Sequence, residues 1–152
     1  MEDENLAGRC GLYCGACTIF RADRDDGDFL TRVASYFKCP PEKVTCKGCQ
    51  ALTPDSWGYD CKIVQCLRSK GHDFCYQCSQ YDAHACEKFE DLAKRYLEDN
   101  IDVRTNLERI KAGKTVEWLK ESQDRFKCPH CRKPLPEGSK KCYHCKQEFA
   151  ML

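Results

Sequence analysis

Apolar positions along the chain recur at helical spacing in three stretches. In FLTRVASYF, residues 29–37, Phe29, Leu30, Val33, Ala34 and Phe37 share one helix face after a DDGD turn. Cys39-Pro40-Pro41 stops that helix, because proline donates no backbone hydrogen bond and restricts the residue before it. Further on, Phe89, Leu92, Ala93, Tyr96 and Leu97 repeat at i, i+3, i+4, i+7 and i+8, with charge on the opposite face. A third stripe holds Leu107, Ile110, Val116, Trp118 and Leu119; Gly113 interrupts it and predicts two short helices. These stripes read as core packing that covers the first part of the chain and spaces the tail from it. Elsewhere before residue 87 the pattern is short connections between cysteines, with glycines at 48, 58 and 71, and predicts loops.

Cysteine changes this picture. Fifteen of 152 residues are Cys, a density that marks either a disulfide scaffold or metal sites. The odd count and the acidic start MEDENLAGRC, with no apolar signal segment, point to thiolates in a reducing cytoplasm. Charged residues make up 32% of the chain, so the apolar core is modest and metal ligation is the expected staple. Eleven cysteines fall in residues 10–86, none in 87–127, and four in 128–145. The division expected is a cysteine-rich metal-binding domain over 1–90, a helical segment over 91–125 and a zinc ribbon over 126–152. The fold class expected is a small metal-stabilised α+β protein.

The tail carries the most specific motif. FKCPHCRKPLPEGSKKCYHCKQEF contains CxxC, ten residues, then CxxC. Each CxxC is a knuckle that aims two sulfurs at one point, and two facing knuckles complete a four-cysteine zinc site of Cys128, Cys131, Cys142 and Cys145. Such a closed site has no open position for water or substrate and is structural. His130 and His144 lie inside the knuckles and are expected to be exposed, since four thiolates already satisfy the metal.

Before residue 90 the cysteines are the CxxxCxxC triad Cys10, Cys14 and Cys17, a lone Cys39, the CKGC pair Cys46 and Cys49, the spaced pair Cys61 and Cys66, the pair Cys75 and Cys78, and Cys86. Cys46, Cys49, Cys61 and Cys66 form one plausible zinc site. The triad would then draw its fourth ligand from Cys86 or from the 75/78 pair, as a third site. A radical enzyme using CxxxCxxC needs a large cofactor-binding barrel, for which this segment is too short. A 4Fe–4S cluster on Cys10, Cys14 and Cys17 is the alternative to zinc, because three close thiolates plus a distant one often hold a cubane. Cys39 reads as spare or structural, and His72 and His84 as ordinary histidines rather than ligands.

CGLYCGAC, CKGC, CKIVQC, FCYQC and Cys86 together resemble an uncharacterised domain-of-unknown-function family of small cysteine-rich proteins from archaea and anaerobic bacteria. TVEWLKESQDRFKCPHC and the ribbon also resemble its members. The last cysteine of that pattern ordinarily follows a proline; DAHAC departs from it and places His84 nearby as a substitute ligand. The resemblance implies metal binding and no particular activity.

No phosphate loop, GxSxG or HExxH motif is present, so no catalytic residues are assigned. The reading adopted is a multi-site zinc protein acting as a structural or interaction module with a protein partner. An iron–sulfur redox carrier or sensor is the first alternative. Weak nucleic-acid binding is the second, because residues 125–147 hold seven Lys or Arg against Glu137 while the whole chain is only +1. No membrane contact is expected.

Overall fold

The computed structural model describes residues 3–152, and these are mostly helical. Seven helices follow in chain order: α1 Thr18–Asp25, α2 Gly27–Tyr36, α3 Lys62–Lys70, α4 Ser79–Asp82, α5 Glu87–Glu98, α6 Val103–Lys111 and α7 Thr115–Arg125. Strand structure among the described residues is limited to three isolated antiparallel bridges, Ala7 with Tyr13, Lys127 with Pro134 and Lys141 with Glu148. The α+β expectation is therefore corrected to a helical protein. The tight turns between paired cysteines leave arms too short for a hydrogen-bonded ladder.

Helices also occupy part of the region expected to be loops. In α1, Ile19, Phe20 and Ala22 are buried, and in α3 Ile63, Val64 and Leu67. α3 ends on Gly71, whose left-handed conformation (φ 70°) lets its N–H return to the last turn. The expected helix at 29–37 is α2, which buries Val33 and Ala34 against Ile19, Ala22 and Val44. Phe37 lies past its end, 42% exposed, in edge contact with the exposed Tyr36 and Trp57. Gly113, at φ 78°, separates α6 from α7 as the sequence indicates.

The principal core joins the chain's beginning to its middle. Phe89, Val103, Leu107, Trp118 and Leu119 are buried with Leu6, Ala16, Phe20 and Leu67. Fully burying one such side chain is worth about 1.5–3 kcal/mol, so this cluster is the main apolar support for the cysteine loops. The opening CGLYCGAC is pressed directly on α6. A Cβ on Gly11 (φ 91°) would lie 2.3 Å from the Val103 carbonyl oxygen, so only glycine fits, and Asn106 Nδ2 donates to the Gly11 carbonyl at 2.9 Å. The Tyr13 ring lies between Trp118 and Phe126, at centroid distances of 6.4 and 6.2 Å.

The last segment docks on α1 and α2. The Phe29 and Tyr143 rings stack at 3.9 Å and 4°, and the Tyr143 hydroxyl donates to the Asp25 carboxylate. The Glu137 N–H donates to the Ala16 carbonyl at 2.9 Å, beside the cysteine triad. No helix among the described residues is long and apolar enough to cross a membrane.

Candidate metal centres

The C-terminal cysteines form two matching loops. After the first bridge, Cys128 N–H donates to the Lys133 carbonyl and Arg132 N–H to the Cys128 carbonyl, both at 2.9 Å. After the second, Cys142 N–H donates to Gln147 and Lys146 N–H to Cys142, again at 2.9 Å. The equivalent residues Arg132 and Lys146 both take positive φ, 64° and 68°, which turns each chain sharply back. In each loop two backbone N–H groups point at the first sulfur. His130 and Cys131 donate to Cys128 Sγ at 3.4 Å; His144 and Cys145 donate to Cys142 Sγ at 3.3 and 3.4 Å.

These loops bring four sulfurs to one point. Cys128 and Cys145 are 3.6 Å apart, Cys131 and Cys142 are 3.7 Å apart, and all four lie within 4.8 Å of one another. Four thiolates around one zinc at the usual bond length would have edges of about 3.8 Å. The donor set therefore fits a single soft metal ion. Burial raises the Cys128 thiol, but the backbone donors Cys131 and His130 outweigh it and hold the group at about 6. Burial pushes the opposed Cys142 up to about 12. His130 is exposed as expected; His144 is not, its ring tilted against Tyr143 at 4.2 Å with Nε2 3.7 Å from Asp25.

The first eleven cysteines are distributed differently from the sequence pairing, and all are free thiols. Cys10, Cys14, Cys17, Cys46, Cys49 and Cys61 line one cavity of about 350 Å³, with Ile19, Trp57, Val64 and Glu137 among its other walls. Cys66, Cys75, Cys78 and Cys86 line a second, of about 20 Å³, between α3 and α5. Cys66 thus lines a different cavity from Cys46, Cys49 and Cys61, and Cys75, Cys78 and Cys86 line a different one from the triad. The segments that carry the two groups are joined by a hydrogen bond from the Cys75 N–H to the Arg9 carbonyl at 3.0 Å. Cys39 lines neither and packs beside the α1–α2 core as a small apolar group.

Four of these cysteines begin helices: Cys17 precedes α1, Cys61 α3, Cys78 α4 and Cys86 α5. The Cys17, Cys61 and Cys86 side chains make no capping hydrogen bond and line the cavities with the positive end of a helix dipole behind each, whereas α4 after Cys78 is only four residues long. The sequence reading missed this placement, and missed two cations. Arg9 donates its backbone N–H to Cys49 Sγ at 3.5 Å and its Nε to the Cys49 carbonyl at 3.2 Å. Lys70 Nζ lies 3.4 Å from Cys78 Sγ. A hydrogen bond from Cys14, and then Arg9, holds Cys49 down at about 7, whereas burial drives Cys10 up to about 12. His84, exposed and at φ 53°, turns its Nδ1 to Glu90 at 3.5 Å, and His72 lines neither thiolate cavity.

A model of the family described as "Protein of unknown function (DUF3795)" matches residues 6–91. That span contains both thiolate cavities' cysteines and ends before the C-terminal loops. No curated protein and no solved structure matches the chain.

Proposed function

Because the chain belongs to the DUF3795 family of proteins of unknown function, its role has to be argued from its own residues, and we propose a multi-site thiolate metal protein that serves as a structural scaffold for a protein partner. In this reading the C-terminal group is a zinc ribbon that holds one structural zinc, and the cysteines before residue 87 hold further metal. The observation that carries it is the convergence of Cys128, Cys131, Cys142 and Cys145 within 4.8 Å. Four thiolates fill a tetrahedral shell and leave no position for substrate, so the energy of binding goes into folding. Apparent binding in small zinc modules is about 10–16 kcal/mol, far more than the short apolar cluster around Leu135 can supply.

Elemental analysis of the full chain tests this together with Cys128→Ser. One zinc per chain should be lost in the variant, and amide protection should vanish over residues 126–149 while the helices before 126 remain protected. A C-terminal segment that stays protected without metal, in the variant or in excess chelator, would overturn the reading.

A further inference from the structure

The two N-terminal cavities differ in size in a way that bears on what each can hold. The one lined by Cys66, Cys75, Cys78 and Cys86 is about 20 Å³, room for a single water or ion. The one lined by Cys10, Cys14, Cys17, Cys46, Cys49 and Cys61 is about 350 Å³, far more than one ion fills.

Sulfur spacing sets both N-terminal groups apart from the C-terminal one, and volume then separates the two. Thiolate-bound zinc, alone or in a bridged pair, packs its sulfurs at tetrahedral edges of about 3.8 Å. Among the described residues only the C-terminal four show three or more ligand atoms mutually within 4.8 Å. Around the large cavity the sulfurs surround a volume rather than a point. A cluster whose interior is filled by inorganic sulfide needs that arrangement, because its thiolates bind separate irons at the corners. We propose that this six-cysteine cavity is the seat of a cubane iron–sulfur cluster, held by four of the six thiolates.

The rest of the wall suits such a guest. Apart from the hydroxyls of Tyr13, Thr18 and Tyr96 and the one carboxylate of Glu137, its lining is sulfur and apolar side chains, so soft metals are favoured over hard ones. Cys17 and Cys61 stand at the starts of α1 and α3, where the helix dipole favours negative charge, and a thiolate-ligated cluster is anionic. The Arg9 N–H directed at Cys49 Sγ supplies the kind of hydrogen bond to ligand sulfur that tunes such clusters. Glu137 reaches the cavity from the C-terminal segment, so the zinc module forms part of its wall.

This inference extends the thiolate-scaffold reading and rests on it only for metal binding before residue 87. The test is iron, zinc and acid-labile sulfide on the full chain purified without oxygen, then reconstituted with ferrous iron and sulfide. About four irons and four sulfides per chain are expected, with a brown colour that bleaches in air and the zinc of the ribbon still present. At least one of the double variants Cys14→Ser/Cys17→Ser and Cys46→Ser/Cys49→Ser should lose more than half of the sulfide, because only one of these pairs can be the two thiols that bind no iron, whereas Cys75→Ser/Cys78→Ser keeps it; sulfide retained in both overturns the placement. A colourless wild-type protein that binds only zinc and no sulfide overturns the inference whatever the variants do, and leaves the scaffold reading intact. Sulfide lost only from Cys75→Ser/Cys78→Ser overturns the placement. Cluster present but ribbon zinc absent would sink the zinc part of the scaffold reading and not this inference.

Discussion

Gly48, in the turn of CKGC, has φ 109° and ψ 156°, a conformation open in practice only to glycine. A Cβ there would also lie 2.3 Å from the Asn5 carbonyl oxygen, and backbone on that side cannot yield as a flexible side chain would. Gly48→Ala is expected to lower stability by about 1–3 kcal/mol, and to displace Cys49 from the Arg9 N–H. The check is a denaturant midpoint with metal content on the same sample; an unchanged midpoint would show that the turn relaxes freely. This strain was half legible. A glycine between two cysteines signals a knuckle, but the clash with Asn5 comes from a segment over forty residues away. Tyr13 and Gly15 are similar: the ring of Tyr13 passes within 2.2 Å of where a Gly15 Cβ would be, a local fit that no spacing rule describes.

At the scale of elements, periodic stripes foretold α2, α5, α6 and α7, because each buries one face and the period survives in sequence. α1 and α3 were not legible as stripes because their few apolar positions lie between cysteines that interrupt the periodic pattern. Ile63, Val64 and Leu67 followed by Gly71 were the signal for α3. That helix also sets which cavity each of its neighbouring cysteines lines. Cys61 stands before α3 in non-helical backbone and Cys66 lies within the helix, and the two line different cavities. The C-terminal loops were legible because all four sulfurs come from two adjacent turns. Their docking was not, since Tyr143 meets Asp25 and Phe29 only in three dimensions. Burial and then the Asp25 carboxylate keep the Tyr143 phenol protonated. Tyr143→Phe removes a hydrogen bond to a carboxylate, worth about 1.5 kcal/mol or more when shielded. It should speed amide exchange at Glu137, whose N–H bonds Ala16, by about tenfold. Exchange at Cys128 and Cys142 should stay unchanged; if it rises equally, the contact supports the metal loops themselves rather than their docking.

Over the whole molecule, charge is divided rather than spread. Residues 125–147 carry seven Lys or Arg and one Glu in a chain of net +1, so the rest is net acidic. Such a basic end attracts phosphate, and its strength can be bounded. At most about six phosphates can be neutralised, which limits the log–log salt slope on duplex DNA to about −5. Several of these cations are also engaged: Lys127 pairs with Asp124 at 2.9 Å, Lys146 Nζ donates to the Tyr143 carbonyl at 2.8 Å, and Arg125 lies over the Phe126 ring. Nor do the described residues include a helix that presents basic side chains to a groove. α7, which leads into the basic segment, buries Trp118 and Leu119 and exposes Glu117, Glu121 and Asp124 on its other side, carboxylates that phosphate repels. The acidic remainder opposes the same backbone. Binding to DNA or RNA should therefore be weak, indifferent to sequence and gone at about 0.15 M salt, where the Debye length is about 8 Å. Fluorescence anisotropy over a salt series measures this on the full chain. Tight binding that persists at that ionic strength and discriminates between sequences would mean that base-reading side chains exist outside α7, and would displace the scaffold reading in favour of a nucleic-acid protein.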